Sequence, residues 1–252
     1  MEPKWHNRTK TLVVCSRGIT YNHRHLMNDL LALLPHAKKE TKIDKHTQKS
    51  ALRELAAMHN CNNCIYFEGR SKLLFMWVLA LPAGPSVKFY VQNLHTTGEM
   101  KFTGNCMKGS RPILAFDSEF EENPLNQLIK QLLLQNFSTP RYHPKSKPFI
   151  DHTLSFTWGD GKIWFRNYQI IKDQEDPMLV EIGPRLVLTP IKVFEEVMGG
   201  AVIYKSGTYE SPKKRKRNPE EFERKREKLE RKKAKRLSKL AKTELDIDEV
   251  FE

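Results

Sequence analysis

Hydrophobic residues fall along this chain in short runs and stripes whose period changes several times. Residues 11–15 (Thr-Leu-Val-Val-Cys) form an apolar run that suits a buried strand, ended by the turn-like Ser16-Arg17-Gly18. Leu26, Met27, Leu30, Leu31, Leu33 and Leu34 then recur at three- and four-residue spacing, which predicts a helix stopped by Pro35. Residues 38–45 are polar and basic and read as an exposed loop. A second helix is expected from Thr47 as N-cap, burying Leu52, Leu55 and Met58. Three strand-like runs follow, Cys64–Phe67, Leu73–Ala80 and Val87–Asn93. Pro82, Gly84 and Pro85 punctuate the last pair.

The pattern then restarts. Residues 112–116 read as a strand, and Asn123-Pro124 as an N-cap with proline at the first helical position. Leu125, Leu128, Ile129, Leu132 and Leu133 form the apolar stripe of that helix. Thr153–Trp158 and Lys162–Ile171 flank Gly159-Asp160-Gly161, a hairpin turn. Met178–Ile182 predicts a further strand, which Leu186–Leu188 extends beyond the Gly183-Pro184 break. Thr189-Pro190 then opens a short helix closed by Gly199-Gly200. Strand, helix and strands thus occur twice, which predicts two α/β halves packed as one domain.

Charge changes the picture at the C-terminal end. The 252 residues hold 43 Lys and Arg against 30 Asp and Glu, a net charge of +13. Residues 211–252 carry 16 of those basic groups and 10 of the acids, and the last ten residues carry five acids and no base. Lys213, Lys214, Arg215, Lys216 and Arg217 form a basic run of nuclear-localisation type. The Glu, Lys and Arg mixture after it favours helix but has too narrow an apolar stripe to cover a core, so a solvated helical or disordered tail is expected. Such a chain is built to meet a polyanion, most simply nucleic acid. No run approaches the ~18 apolar residues of a membrane-spanning helix. The first residues lack the apolar core of a signal peptide, so an intracellular chain with reduced thiols is expected.

Candidate chemistry is sparse. Cys61 and Cys64, with His59 nearby, have the spacing of half a zinc site, but only Cys106 and His95 offer themselves as further ligands. Two unpaired thiols is the simpler reading, and no metal or cofactor is expected. Residues 104–111 are Gly-rich and basic but lack the Gly-x4-Gly-Lys-Ser/Thr pattern. Lys108 and Arg111 there could meet a nucleic-acid phosphate, or lie in a solvated linker. Residues 139–148 hold three prolines with Arg141, Lys145 and Lys147, an extended and exposed loop. Lys162, Trp164, Arg166 and Tyr168 share one face of a strand. Aromatics interleaved with cations stack bases while neutralising phosphates, yet aromatics on a strand also fill cores. The mixed face opposite, Ile163, Phe165, Asn167 and Gln169, leaves both readings open. No hydrolase, metalloprotease or dinucleotide-binding signature occurs.

With these residues laid out, the chain resembles the Brix-domain family of ribosome-biogenesis proteins over about residues 8–210. The resemblance is carried by Ser16-Arg17-Gly18-Ile19, Arg24-His25-Leu26-Met27-x-Asp29-Leu30, Cys61-Asn62-x-Cys64-Ile65-Tyr66-Phe67-Glu68 and Gly84-Pro85-Ser86-Val87-Lys88-Phe89. More specific still are residues 103–112, residues 137–146, Ile163-Trp164-Phe165-Arg166-Asn167 and Glu181-Ile182-Gly183-Pro184-Arg185. The resemblance implies an α/β fold of mixed sheets: two pseudo-repeated halves, about 8–94 and 112–205, each similar to the anticodon-binding domain of certain tRNA synthetases. Residues 95–111 would be the joint, and 211–252 a basic and then acidic tail. It further implies a non-enzymatic, RNA-binding assembly factor of the nucleus and nucleolus, with no zinc site.

The partners it implies are precursor large-subunit ribosomal RNA, early assembly factors including an Ebp-type nucleolar protein, and ribosomal proteins. No membrane is implied. Candidate RNA contacts are Arg17, Lys38, Lys39, Lys108, Arg111, Arg141, Lys145, Lys147 and Arg185, with Trp164 and Arg166 as the stacking face. Whether Arg185 touches RNA or braces the fold is left open by the match. The alternatives are an RNA-modifying or tRNA-linked enzyme that uses the fold to grip RNA, and a protein–protein adaptor.

Overall fold

The apolar run at the start of the chain becomes β1 (Thr11–Cys15), buried along its whole length. It leads into α1 (Tyr21–Leu33), which buries Leu26, Met27, Leu30 and Leu33. The computed structural model describes residues 9–44, 48–70, 73–140, 142–172, 177–207, 209 and, in the tail, 223–224, 226–228, 230–232 and 234–235. Arg141, Thr47 and the basic run Lys213–Arg217 lie outside the described residues. Two units are distinguished, Met1–Ser206 and Gly207–Glu252. Described residues of the second from 223 onward are helical, with Arg226 and Glu230 paired at 3.0 Å one turn apart.

The first unit continues with β2 (Ala37–Lys39), α2 (Gln48–His59), β3 (Asn63–Arg70), β4 (Leu73–Ala80) and β5 (Ser86–His95). After a long connection come β6 (Ile113–Phe116), α3 (Glu119–Glu122), α4 (Pro124–Phe137), β7 (His152–Gly159), β8 (Lys162–Lys172), β9 (Pro177–Glu181), β10 (Arg185–Glu196) and β11 (Gly199–Lys205). All eleven strands join one mixed sheet in the order β2-β1-β3-β4-β5-β10-β8-β7-β6, with β11 added to β10 and β9 to β8. The β1–β2, β1–β3 and β6–β7 pairs are parallel. The β3-β4-β5 meander, the β7–β8 hairpin and the central β5–β10 pair are antiparallel. The β7–β8 turn has positive φ at both Asp160 and Gly161, the type I′ geometry that matches strand twist.

Each face of the sheet has its own core. On one face α1 and α4 cover Val13, Ile65, Phe67, Met76, Phe89, Leu154, Phe156, Phe165 and Leu188 in one continuous cluster. On the other, Leu52 and Ala56 of α2 cover Leu12, Val14, Cys64, Tyr66, Trp77 and Leu79. The second face of β5, β10, β8 and β7 carries Lys88, Tyr90, Thr189, Trp164 and Arg166, residues alternating with the core positions. Among the described residues no helix is long and apolar enough to cross a membrane.

Three sequence expectations are corrected. The helix expected after Thr189-Pro190 is strand: β10 runs from Arg185 to Glu196 and hairpins into β11. Leu188 is buried there between β5 and β8 and Val193 between β5 and β11, with Ile191 also buried, and that burial outweighs the local cap-like signals. Pro190 is tolerated because the ladder shifts register between Pro190 and Lys192, so the missing donor falls at a bulge. The loop expected at 38–45 begins as strand β2, which holds Lys38 and Lys39 at the sheet's edge, where charges commonly sit. Met58 is exposed and Ala56 takes the buried position on α2, because the apolar stripe turns with the helix.

Candidate nucleic-acid interface

The two basic loops singled out in sequence are hydrogen-bonded to each other. The Lys147 amide donates to the Gly109 carbonyl at 2.7 Å, and the Arg111 amide donates to the Phe149 carbonyl at 2.9 Å. Lys108, Lys145 and Lys147 are exposed along this joined pair and have no carboxylate partner among the described residues. Tyr142, Phe149 and Ile150 are exposed in the same stretch, at 56%, 55% and 50%. Aromatic surface is thus interleaved with unpaired cations. Arg111 is half-buried, and its Nε meets no hydrogen-bond partner among the described residues.

The loop pair is anchored to the sheet. A Cβ on Gly104 would sit 2.7 Å from the Glu181 carbonyl oxygen, so only glycine lets the backbone lie this close to β9. The Asn105 amide donates to Gln169 Oε1 at 2.8 Å and the Met107 amide to Asp151 Oδ2 at 2.6 Å. Burial would raise the Asp151 carboxyl, but hydrogen bonds from Ser110, His152 and the Met107 amide outweigh it and hold the group below its ordinary value. Asp151 is therefore a charged anchor at the base of a cationic loop.

A second group lies at the carboxyl ends of β1 and β2. Arg17 pairs with Asp44 at 3.1 Å and remains largely exposed, while Lys39 Nζ donates to Asn28 Oδ1 at 3.0 Å. Both line a cleft of about 670 Å³. Lys38 is on the opposite face of β2, its Nζ 2.6 Å from His59 Nδ1, and the other ring nitrogen of His59 lies 2.5 Å from Glu40.

The third group is on the uncovered sheet face. Ile163, Phe165 and Asn167 point into the core, which turns Trp164 (39% exposed) and Arg166 outward and fixes the orientation of this strand. Trp164, Arg166 and Arg185 line a small cavity of about 190 Å³ with Asn93 and His95. Arg185 forks onto Glu181, Nε to Oε1 at 2.8 Å and Nη2 to Oε2 at 2.6 Å, and its guanidinium lies 5.0 Å from the Phe102 ring. Arg185 therefore ties β10 to β9 and to the 95–111 connection.

The structure joins Lys108, Arg111, Lys145 and Lys147, sets Arg17 and Lys39 together elsewhere, and turns Lys38 away from Lys39. Sequence reasoning did not pick out Tyr142 and Phe149. Their place in a proline-punctuated loop, where apolar residues have no strand or helix face to fill, was the available signal. Cys61 and Cys64 are buried, the Cys61 thiol 3.7 Å from the His59 carbonyl, and burial pushes the Cys64 thiol far up.

Comparison with known proteins adds a family. A family model described as the Brix domain matches residues 16–192. The chain is 53% identical over 215 residues to the ribosome biogenesis protein BRX1 homolog of Homo sapiens, covering 85% of this chain and 60% of that protein. It is 49% identical over 217 residues to the ribosome biogenesis protein BRX1 of Saccharomyces cerevisiae, covering 82% and 75%. This chain thus spans about 60% of the length of its vertebrate relatives. A solved structure, of a probable ribosomal biogenesis protein from Aeropyrum pernix K1, aligns at a TM-score of 0.49 and 17% identity over 72% of this chain and 96% of the other.

Proposed function

This chain belongs to the Brix-domain family, and from that premise we propose that it is a ribosome-assembly factor that holds precursor RNA of the large subunit without covalent chemistry. The observation that carries the reading is the joined loop pair, where exposed Lys108, Lys145 and Lys147, with no carboxylate partner among the described residues, stand beside exposed Phe149. Cations with no carboxylate partner among the described residues are available to phosphates, and an exposed ring to unstacked bases. The names of the relatives, ribosome biogenesis proteins, point the same way. Nuclear and nucleolar residence, an Ebp-type protein partner, and two duplicated halves at about 8–94 and 112–205 belong to the same proposal. Support for the duplication is the strand order, which reads β1-β3-β4-β5 from one side of the centre and β6-β7-β8-β10 from the other.

The test is in-cell crosslinking with sequencing of the bound RNA. The full chain is compared with a Lys108→Glu, Lys145→Glu, Lys147→Glu variant. Sharp sites in large-subunit precursor RNA that fade in the variant are expected. Sites unchanged in the variant, or no enrichment of precursor RNA, would overturn the reading in favour of a protein–protein adaptor.

A further inference from the structure

The cleft of about 670 Å³ lies where the chain changes direction across the sheet. β1 sits between β2 and β3, parallel to both. The connection from β1 to β2 passes through α1 on one face, and that from β2 to β3 passes through α2 on the other. Diverging connections leave a crevice outside the carboxyl ends of such strands, the usual ligand position in open α/β sheets. Here the crevice is walled by Tyr21, Arg24, His25 and Asn28 from one side of α1, and by Lys39, Glu40, Thr41 and Lys42 beyond β2.

Its charge is not cancelled from within. Among the described residues, Arg24 and Lys42 are exposed and have no carboxylate partner, and Lys39 donates to the Asn28 amide oxygen. Glu40 is turned to His59 and to the Thr41 amide, and Asp44 is held by Arg17. Lys42, Lys39 and Arg24 converge closely enough that all three favour the anionic form of the buried Cys15 thiol at the cleft floor, although burial wins and raises that group. The first turn of α1 contains no acidic residue, and Thr20 makes no side-chain cap, so the positive end of the helix adds to the field. At the rim, Tyr21 is 67% exposed and its ring centroid lies 4.1 Å from that of His25.

We propose that this cleft is a single-nucleotide subsite: Arg24, Lys39 and Lys42 hold the phosphate of one nucleotide of an RNA strand, and Tyr21 stacks its base. The inference rests on the RNA-binding reading but uses none of the loop-pair residues. A phosphate in this cleft replaces mutual repulsion among three cations by attraction, and a ring already propped by His25 offers a base a preformed platform. Free mononucleotides share the same chemistry, so the test separates the two sources.

Affinity of the full chain for a short single-stranded RNA is measured across a salt series, alongside binding of adenosine 5′-monophosphate. Variants are Arg24→Ala with Lys42→Ala, Tyr21→Ala, and the loop-pair triple glutamate as comparison. The double alanine variant is expected to bind RNA about tenfold more weakly and to flatten the log–log salt slope by about 1.4, two contacts at ~0.7 each. Tyr21→Ala is expected to weaken RNA several-fold at unchanged slope. Photocrosslinking should place uridine on Tyr21, a readout that a merely structural role would not move. Wild-type affinity and slope in the double variant, with loss in the triple glutamate variant, would overturn the subsite and leave the functional reading standing. Loss of mononucleotide binding alone, with RNA untouched, would overturn the RNA strand as occupant. No RNA binding by the wild type would overturn both.

Discussion

His36 Nε2 lies 3.2 Å from the carbonyl oxygen of Asn136, a hundred residues further along the chain. Thr11 Oγ1 donates to the same carbonyl at 3.3 Å, and Asn63 Nδ2 donates to the Gln135 carbonyl at 2.7 Å. The last carbonyls of a helix have no partner within it, so α4 is closed off by side chains from β1, β3 and the segment before β2.

The burial of His36 at that helix end makes stability depend on pH. Burial lowers His36 to about 4, assisted by nearby His143 and opposed by the Asn136 bond. The folded ring is neutral, whereas the unfolded ring takes a proton below its ordinary 6.5. Stability is therefore complete above pH 6.5 and falls between 6.5 and 4, by about 3 kcal/mol from this group. Urea midpoints over that range should drop, and the His36→Gln variant should show a visibly flatter curve. Equal slopes for the two proteins would remove His36 from the account.

Glu68, 1% exposed, accepts hydrogen bonds from Lys88 Nζ at 2.7 Å, Trp77 Nε1 at 3.0 Å and Arg70. Burial would raise its carboxyl, but these donors outweigh burial and hold it below its ordinary range. Lys88 also lies 4.6 Å from the Phe75 ring and 4.7 Å from the Trp77 ring. Glu68→Ala should cost about 3–5 kcal/mol by leaving a largely buried ammonium unpaired, whereas Glu68→Ala with Lys88→Met should recover part of it. Calorimetric or denaturant unfolding of the three proteins reads this directly.

The fork between Arg185 and Glu181 predicts a fold defect and not a binding defect. Lysine cannot reproduce two parallel donors, so Arg185→Lys should lower stability by about 1–2 kcal/mol. RNA affinity measured well below the transition should stay at the wild-type value. A fall in affinity with unchanged stability would place Arg185 on the RNA.

Salt dependence separates contact from mere solubility at the loop pair. Each phosphate neutralised contributes ~0.7 to the log–log slope on single strands. Charge reversal at Lys108, Lys145 and Lys147 should therefore cut the slope by about 2. An unchanged slope would mean that these lysines only keep the surface hydrated.

Much of this architecture was legible where local chemistry and tertiary need agree. The 11–15 run, the β3-β4-β5 meander and the Asp160-Gly161 turn follow from apolar runs and from the two positive φ angles a tight hairpin needs. Legibility failed at Thr189-Pro190, where helix-start chemistry is overridden by strands ninety-odd and twenty-odd residues away. It failed too at Lys38 and Lys39, because a charged edge strand carries no apolar alternation. The loop pair was half legible: composition showed the cations, but only hydrogen bonds between residues 109 and 147, and between 111 and 149, put them side by side. In the cleft, Arg17 and Lys39 were picked out as RNA contacts, but Arg24 and Lys42 were not. Tyr21, Arg24 and Asn28, spaced three and four apart on the polar side of α1, were a periodic signal of the same kind as the apolar stripe.

The pairing of β5 with β10 from Ser86–Phe194 to His95–Arg185 has a mechanical consequence. Flexing one end of the sheet against the other would tear a backbone ladder backed by a shared core, so there is no hinge at the midline. The loop pair and the cleft belong to this one stiff plate. An RNA that touches both is measured against a fixed length, and it is the RNA that must bend or unstack to fit. On the RNA-binding proposal, such a plate would gauge RNA shape, accepting a strand whose contours match and leaving slack or overdrawn ones ungripped.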